Sequence, residues 1–293
     1  MIPKEILKKV RRIQITTSRM VSCVFAGKYQ SVFKGRGMEF YEVRQYLPGD
    51  EIRSIDWNVT ARMGHPYVKK FIEERELAVM LLLDASMSCH FGSNTQLKNQ
   101  LAAEICSVLS LSAIKNNDRV GLIIFTDKIE KFIPPRKGLR HVLRVIREAL
   151  YYQPQSPGTD ISQALDYLNR VIKRRAITFL ISDFFCQDFK KSLSLSNKHH
   201  DMIAVSITDP REIELPNVGI LNLKDAETGE SFLVDTSDVS TRKQYRDKAL
   251  LKISHNKTLF NSTGVDNIDI YTDRPYDKEL VKFFGARQKR FRT

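Results

Sequence analysis

The chain has 293 residues, 42% of them hydrophobic, and a formal net charge of +13. That length supports one large core, or one core with an appended segment. Its longest apolar runs fall far short of the roughly 20 residues a membrane-spanning helix needs. Four cysteines (Cys23, Cys89, Cys106, Cys186) lie far apart without a CxxC pair, so neither a disulfide framework nor a zinc site is indicated. Met1 to Val10 is charged from Lys4 onward and carries no apolar core of the signal-peptide kind, so a cytoplasmic location is expected.

The charge is unevenly placed. Residues 1–75 carry 15 basic against 8 acidic residues, residues 282–293 carry 5 basic and none acidic, and the stretch between is close to neutral. Basic ends of this kind suit an acidic protein, a nucleic acid or an anionic lipid surface, or are simply solvated. Nucleic acid is disfavoured because no aromatic residues interleave with the charge as in single-strand binders.

Residues 3–22 start with Pro3 and place Ile6, Leu7, Val10 and Ile13 at helical spacing, opposite a basic face of Lys8, Lys9, Arg11 and Arg12. The spacing predicts an amphipathic helix that packs on the main domain, with a peripheral membrane contact as the alternative. Residues 27–75 are broken by Gly27, Gly35, Gly37, Pro48, Gly49, Gly64 and Pro66, so turns dominate. Arg and Asp recur there beside Trp57, the only Trp, and ion pairs are expected to lock the segment in place, with a ligand pocket as the alternative. Trp57 is expected to anchor it as a buried side chain. Tyr67 to Glu73 reads as a strand.

Leu77 to Leu83 is an unbroken apolar run, suited to a strand buried on both faces, and Asp84, Ser86 and Ser88 follow at its end. Leu97, Leu101, Ile105, Val108 and Leu109 then trace one face of a long helix ending near Asn116-Asn117. Val120 to Phe125 is the next buried strand, with Gly121 allowing close approach. Lys128 to Ile133 reads as an edge strand ended by Pro134-Pro135. Helices are expected near 138–152 and 160–173, then a buried strand from Ala176 to Ser182 ending at Asp183. A helix near 188–198, strands at 202–207, 218–223 and 231–235, a helix at 236–260, a strand at 267–271 and a helix near 275–284 complete the pattern. Strand and helix alternate, which predicts a doubly wound, mostly parallel sheet covered by helices. The expected organisation is an N-terminal segment over 1–75, a main domain over 76–285 and a basic tail over 286–293.

Three loops meet the C-terminal strand edge in such a sheet, where open parallel sheets bind ligands. They are Asp84-x-Ser86-x-Ser88, Gly158-Thr159-Asp160 and Asp183. Hard oxygen donors of this kind suit Mg2+, Mn2+ or Ca2+. Each also has an ordinary structural use: Asp84, Thr159 or Asp160 as a helix N-cap, Asp183 as a turn residue. His90 is expected at the surface, and His199-His200 has no partner at ligand spacing.

The pattern resembles the von Willebrand factor A domain and its metal-ion-dependent adhesion site, with Asp84, Ser86, Ser88, Thr159 and Asp183 at the five positions of that motif. Gly35-x-Gly37-x-Glu39-Phe40, Arg44, Tyr46, Pro48-Gly49-Asp50, Arg53-x-Ile55-Asp56-Trp57 and Ala61-Arg62 resemble the bacterial family called domain of unknown function fifty-eight. Cys89 stands where that family often has Met. The resemblance covers roughly residues 20–285 and implies a von Willebrand factor A-like domain that works beside a MoxR-type AAA+ ATPase. It further implies a non-enzymatic interaction module whose Mg2+ takes a partner's Asp or Glu as a ligand. Two rivals stand beside this reading. One is a metal-dependent hydrolase, disfavoured because no lysine or second acid at short spacing marks a nucleophile and no GxxxxGK[ST] loop is present. The other is nucleic-acid or anionic-membrane binding through the basic ends.

Overall fold

A computed structural model describes residues 39–72, 77–93, 96–186, 188–226 and 229–290. The expected N-terminal helix and Gly35 to Met38 of the signature segment lie outside the described residues. The chain divides into two compact units, one within Phe33–Leu77 and one that takes in everything from Ala78 onward.

In the smaller unit, β1 (Glu39–Gln45) pairs antiparallel with β2 (Tyr67–Ile72), from Glu39 opposite Ile72 to Gln45 opposite Tyr67. The Arg44 guanidinium grips both oxygens of Asp50 at 2.8 and 2.7 Å, and Leu47 N–H donates to the same carboxylate. This two-pronged contact fixes the Pro48-Gly49 turn, whose Gly49 needs a φ of +109° that favours glycine. Asp56 caps α1 (Trp57–Met63) by accepting from the N–H groups of Asn58 and Val59. The ion pair expected from the sequence is therefore present. The buried Trp is not: Trp57 is 67% exposed. It is the first residue of a short helix with no buried residue of its own, so nothing draws the indole inward.

The larger unit is mixed α/β. Its six-stranded sheet has the order β10-β7-β6-β3-β4-β5, built from β3 (Ala78–Asp84), β4 (Arg119–Phe125), β5 (Ile129–Arg136), β6 (Ile177–Ser182), β7 (Asp201–Thr208) and β10 (Asp266–Tyr271). All neighbours run parallel except β5, which is antiparallel to β4. Val79 to Leu83 are buried without a break, as the apolar run requires of a central strand with both faces covered. On one face Met80, Leu82, Leu180 and Ala204 meet Leu165, Leu168, Leu193 and Phe260, from the helices α4 (Ile161–Val171), α5 (Lys190–His199) and α7 (Val239–Thr263). Elsewhere the Phe179 ring lies 6.4 Å from that of Phe284 on α8 (Tyr276–Arg290). Each fully buried Leu or Phe stabilises the fold by roughly 1.5–3 kcal/mol. The remaining helices are α2 (Lys98–Lys115), α3 (Leu139–Tyr151) and the single turn α6 (Pro210–Ile213). The strands β8 (Ile220–Lys224) and β9 (Ser231–Asp235) pair antiparallel with each other in a two-stranded sheet.

Gly121 allows the close approach expected of it. A Cβ there would meet the Met80 sulfur at 2.5 Å and the Ile133 carbonyl oxygen at 3.0 Å. Two expectations need correcting, and one element was not expected. Pro134 and Pro135 lie inside β5 instead of ending it; β5 is the sheet edge, where a missing N–H costs no ladder bond, and the register slips beside them. The helix α6 is absent from the sequence reading. It is a four-residue turn held by a capping box in which Asp209 and Glu212 satisfy each other's backbone N–H groups. Finally, α8 runs on to Arg290, because Arg287 and Arg290 reach carboxylates of Asp201 and Asp266 at the starts of β7 and β10. Among the described residues, at least Arg287 and Arg290 of this basic segment are thus committed to ion pairs. Among the described residues, no helix is long and apolar enough to cross a membrane.

Candidate metal centre

Asp84 ends β3 and Asp183 follows β6, its neighbour in the sheet, so both carboxylates emerge at the same C-terminal edge. Asp84 is 1% exposed. One of its oxygens accepts from the backbone N–H of Ser86 at 2.9 Å, which folds the chain back after the strand. The other accepts from the Ser182 hydroxyl at 2.6 Å. The hydroxyls of Ser86 and Ser88 lie 3.0 Å apart. The Met87 N–H donates to the Pro157 carbonyl at 3.0 Å, which brings the loop bearing Thr159 against the serine loop; Thr159 itself is half-buried. Asp160 is turned to structural use, capping α4 by accepting from the Gln163 N–H. His90 is exposed, as expected. The structure therefore gathers Asp84, Ser86, Ser88 and Asp183 and sets the Thr159 loop beside them.

The third buried group at this point is Cys89. Oxygens of Asp84 and Asp183 and the Cys89 sulfur all lie within 4.8 Å of one another. Burial, followed by the nearby charges of Asp84 and Asp183, pushes the Cys89 thiol far up. Cys89 thus adds one sulfur to a donor set otherwise made of oxygens, and a hard cation takes the oxygens by preference. Burial first, and the charge of Asp183 second, raise Asp84 to about 7. Two carboxylates crowded in a dry site repel each other, and a divalent cation is the group that relieves such repulsion. The residues present fit one.

A cation that no local sequence signal marks is already built into the site. Lys98, at the start of α2, has a side chain only 1% exposed. Its ammonium donates to Asp183 at 2.7 Å and also contacts Glu212 of α6. Burial works against its charge, but Asp183 and Glu212 outweigh that and its pKa ends raised. Burial likewise raises Glu212, with Lys98 opposing. The other Asp183 oxygen accepts from the Phe185 N–H at 3.1 Å. This lysine reaches Asp183 in space from 85 residues upstream in the chain. Held between two carboxylates, it fixes Asp183 in place. Beside it, Asp209 is fully buried and accepts from Ser93 and Thr272, tying the loop before α2 to the ends of β7 and β10.

Fold and site together define a mixed α/β protein with an oxygen-rich, carboxylate-paired centre at the C-terminal edge of a mostly parallel sheet. The chain belongs to the family described as "Protein of unknown function DUF58", whose model matches residues 42–254. It is 30% identical over 286 residues to "Uncharacterized protein Rv1480" of Mycobacterium tuberculosis, covering 96% of this chain and 89% of that one. Among solved structures it is similar to BatB from Bacteroides thetaiotaomicron, with TM-score 0.46, 15% identity, 73% of this chain and 99% of that one. It is also similar to proximal thread matrix protein 1 from the mussel byssus with a zinc-occupied MIDAS motif, with TM-score 0.37, 15% identity, 45% of this chain and 38% of that one.

Proposed function

We propose that this protein is a von Willebrand factor A-like interaction module, not an enzyme, and that it binds its partner through a divalent cation. Asp84, Ser86, Ser88, Thr159 and Asp183 would hold the ion, with Mg2+ as the first choice and Mn2+ or Ca2+ as substitutes. The observation that carries this reading is the convergence of two buried carboxylates, Asp84 and Asp183, at the ends of adjacent parallel strands. A bound cation would supply positive charge to that pair and a coordination position for a carboxylate of the partner. Lys98 keeps Asp183 oriented while Ser182 and the Ser86 N–H orient Asp84. The family resemblance supports a MoxR-type AAA+ ATPase, or a complex it remodels, as that partner, and a cytoplasmic location goes with it. The test is co-purification from the native cell in Mg2+ and in EDTA, with wild type and Asp84→Asn. A partner retained in Mg2+ and lost both in EDTA and in the variant is expected. Equal retention in all arms overturns the reading.

A further inference from the structure

Beside the centre, with Asp183 and Phe185 in its wall, lies a cavity of about 260 Å3. It opens between α7 and the strands β7 and β10 of the larger unit. Its walls are largely apolar, with Phe185, Ile213, Tyr245, Ile253 and Phe260 turned towards it. The Tyr245 hydroxyl donates to the Arg211 carbonyl at 3.2 Å, which fixes that ring at the rim.

The charges around the cavity balance in number but are not all paired. Three carboxylates line it, Asp183, Glu212 and Asp269. The first two both contact the single ammonium of Lys98, and Asp269 is paired with Lys257 at 3.0 Å. That leaves Lys248 and Lys252, both on α7 and both lining the space. Among the described residues, neither has a carboxylate within ion-pair distance. Lys252 is half-buried and rests its ammonium over the Phe185 ring, 2.8 Å from the centroid, so its charge faces an aromatic surface in place of an acid. Burial, only partly offset by Asp183 and Glu212, brings Lys252 down to about 8. A half-buried ammonium without a counter-ion is costly, and an anion brought to it recovers that cost.

We infer that this cavity is a second binding site, for a small organic anion or peptide terminus that carries one carboxylate on an apolar body. The carboxylate sits at Lys252 with Lys248 beside it, and the body lies along Phe185, Tyr245 and Phe260. Asp183 is common to the wall of this cavity and to the proposed metal centre, but binding at Lys252 needs no cation at that centre.

The probe is 3-phenylpropionate, with 3-phenylpropan-1-ol as its uncharged counterpart, titrated by calorimetry and by amide-shift mapping. Working in EDTA keeps the outcome apart from the metal centre. Saturable binding of the acid is expected, with shifts confined to α7, Phe185 and the ends of β7 and β10, and binding of the alcohol about tenfold weaker. Lys252→Met should remove that difference, and Lys243→Met, at an exposed position on the same helix, should leave it. No saturable binding of the acid to folded wild type overturns the inference. So does equal affinity for acid and alcohol, or an unchanged preference in Lys252→Met.

Discussion

Replacing Lys98 by Met removes a charge from the centre of the molecule at nearly constant volume. The Lys98 side chain is 1% exposed and its ammonium serves both Asp183 and Glu212. Without it, Asp183 and Glu212 lose the ammonium that contacts them, and with Asp84 they keep only the charge of Lys252, which is paired with neither Asp183 nor Glu212. Breaking a buried pair by removing one partner costs about 3–5 kcal/mol. For a domain of this size that lowers the melting temperature by on the order of 10 °C. Carboxylates escape such a site by taking up protons. The loss should therefore be greatest near pH 8 and smaller near pH 6, since burial already holds Asp84 at about 7 and Glu212 above its ordinary value. Adding Glu212→Gln to Lys98→Met should restore part of the loss, because the two residues share one contact. Thermal and urea melts in EDTA at the two pH values decide the matter. A Lys98→Met protein that melts with wild type at pH 8 would refute the reasoning, because it would mean that the carboxylates do not need the ammonium.

Three further outcomes are expected. Asp183→Ala should destabilise the protein as well as impair partner binding, since it strips Lys98 of its 2.7 Å partner in the interior; Ser86→Ala should impair binding with a smaller effect on melting, and equal melting of the two variants counts against the ion pair. Trp57→Ala should change stability by no more than about 0.5 kcal/mol, as for other exposed positions, and a loss of several kcal/mol in urea titration would show that the indole is covered. His200 is buried, accepts from the Ala176 N–H through Nδ1, and is held down to about 4 by burial, with His199 and Arg175 adding to it. Its pKa is lowered on folding, so its contribution is complete above about 6.5 and is lost as pH falls through about 4. His200→Gln should flatten the acid limb of stability across that interval, and an unchanged limb places the titration elsewhere.

The sheet was legible because its strands are dense apolar runs. Leu77 to Leu83 could be buried only on two faces, and the ends of such strands gather whatever polar residues follow them. That logic brought Asp84 and Asp183 together correctly. The rest of the centre was not legible, because it depends on contacts without local signal. Lys98 meets Asp183 and Glu212 across 85 and 114 residues of chain, and at the head of a helix it reads as one more surface lysine. The turn that presents Glu212 is four residues long, too short for any periodicity to reveal. Trp57 misled for the opposite reason. Its composition argued for burial, but a seven-residue helix capped by Asp56 and ended at Gly64 holds itself together without the indole.

A direct titration of Mn2+ into the metal-free protein, followed by electron paramagnetic resonance at pH 6 and pH 8, tests the cation centre itself without any partner. One saturable site is expected in wild type. Its affinity should rise with pH, because protons compete for Asp84 up to about 7, and it should disappear in Asp84→Asn. A folded wild-type protein that leaves Mn2+ free at pH 8, or an Asp84→Asn variant that binds it as well as wild type, would contradict the assignment.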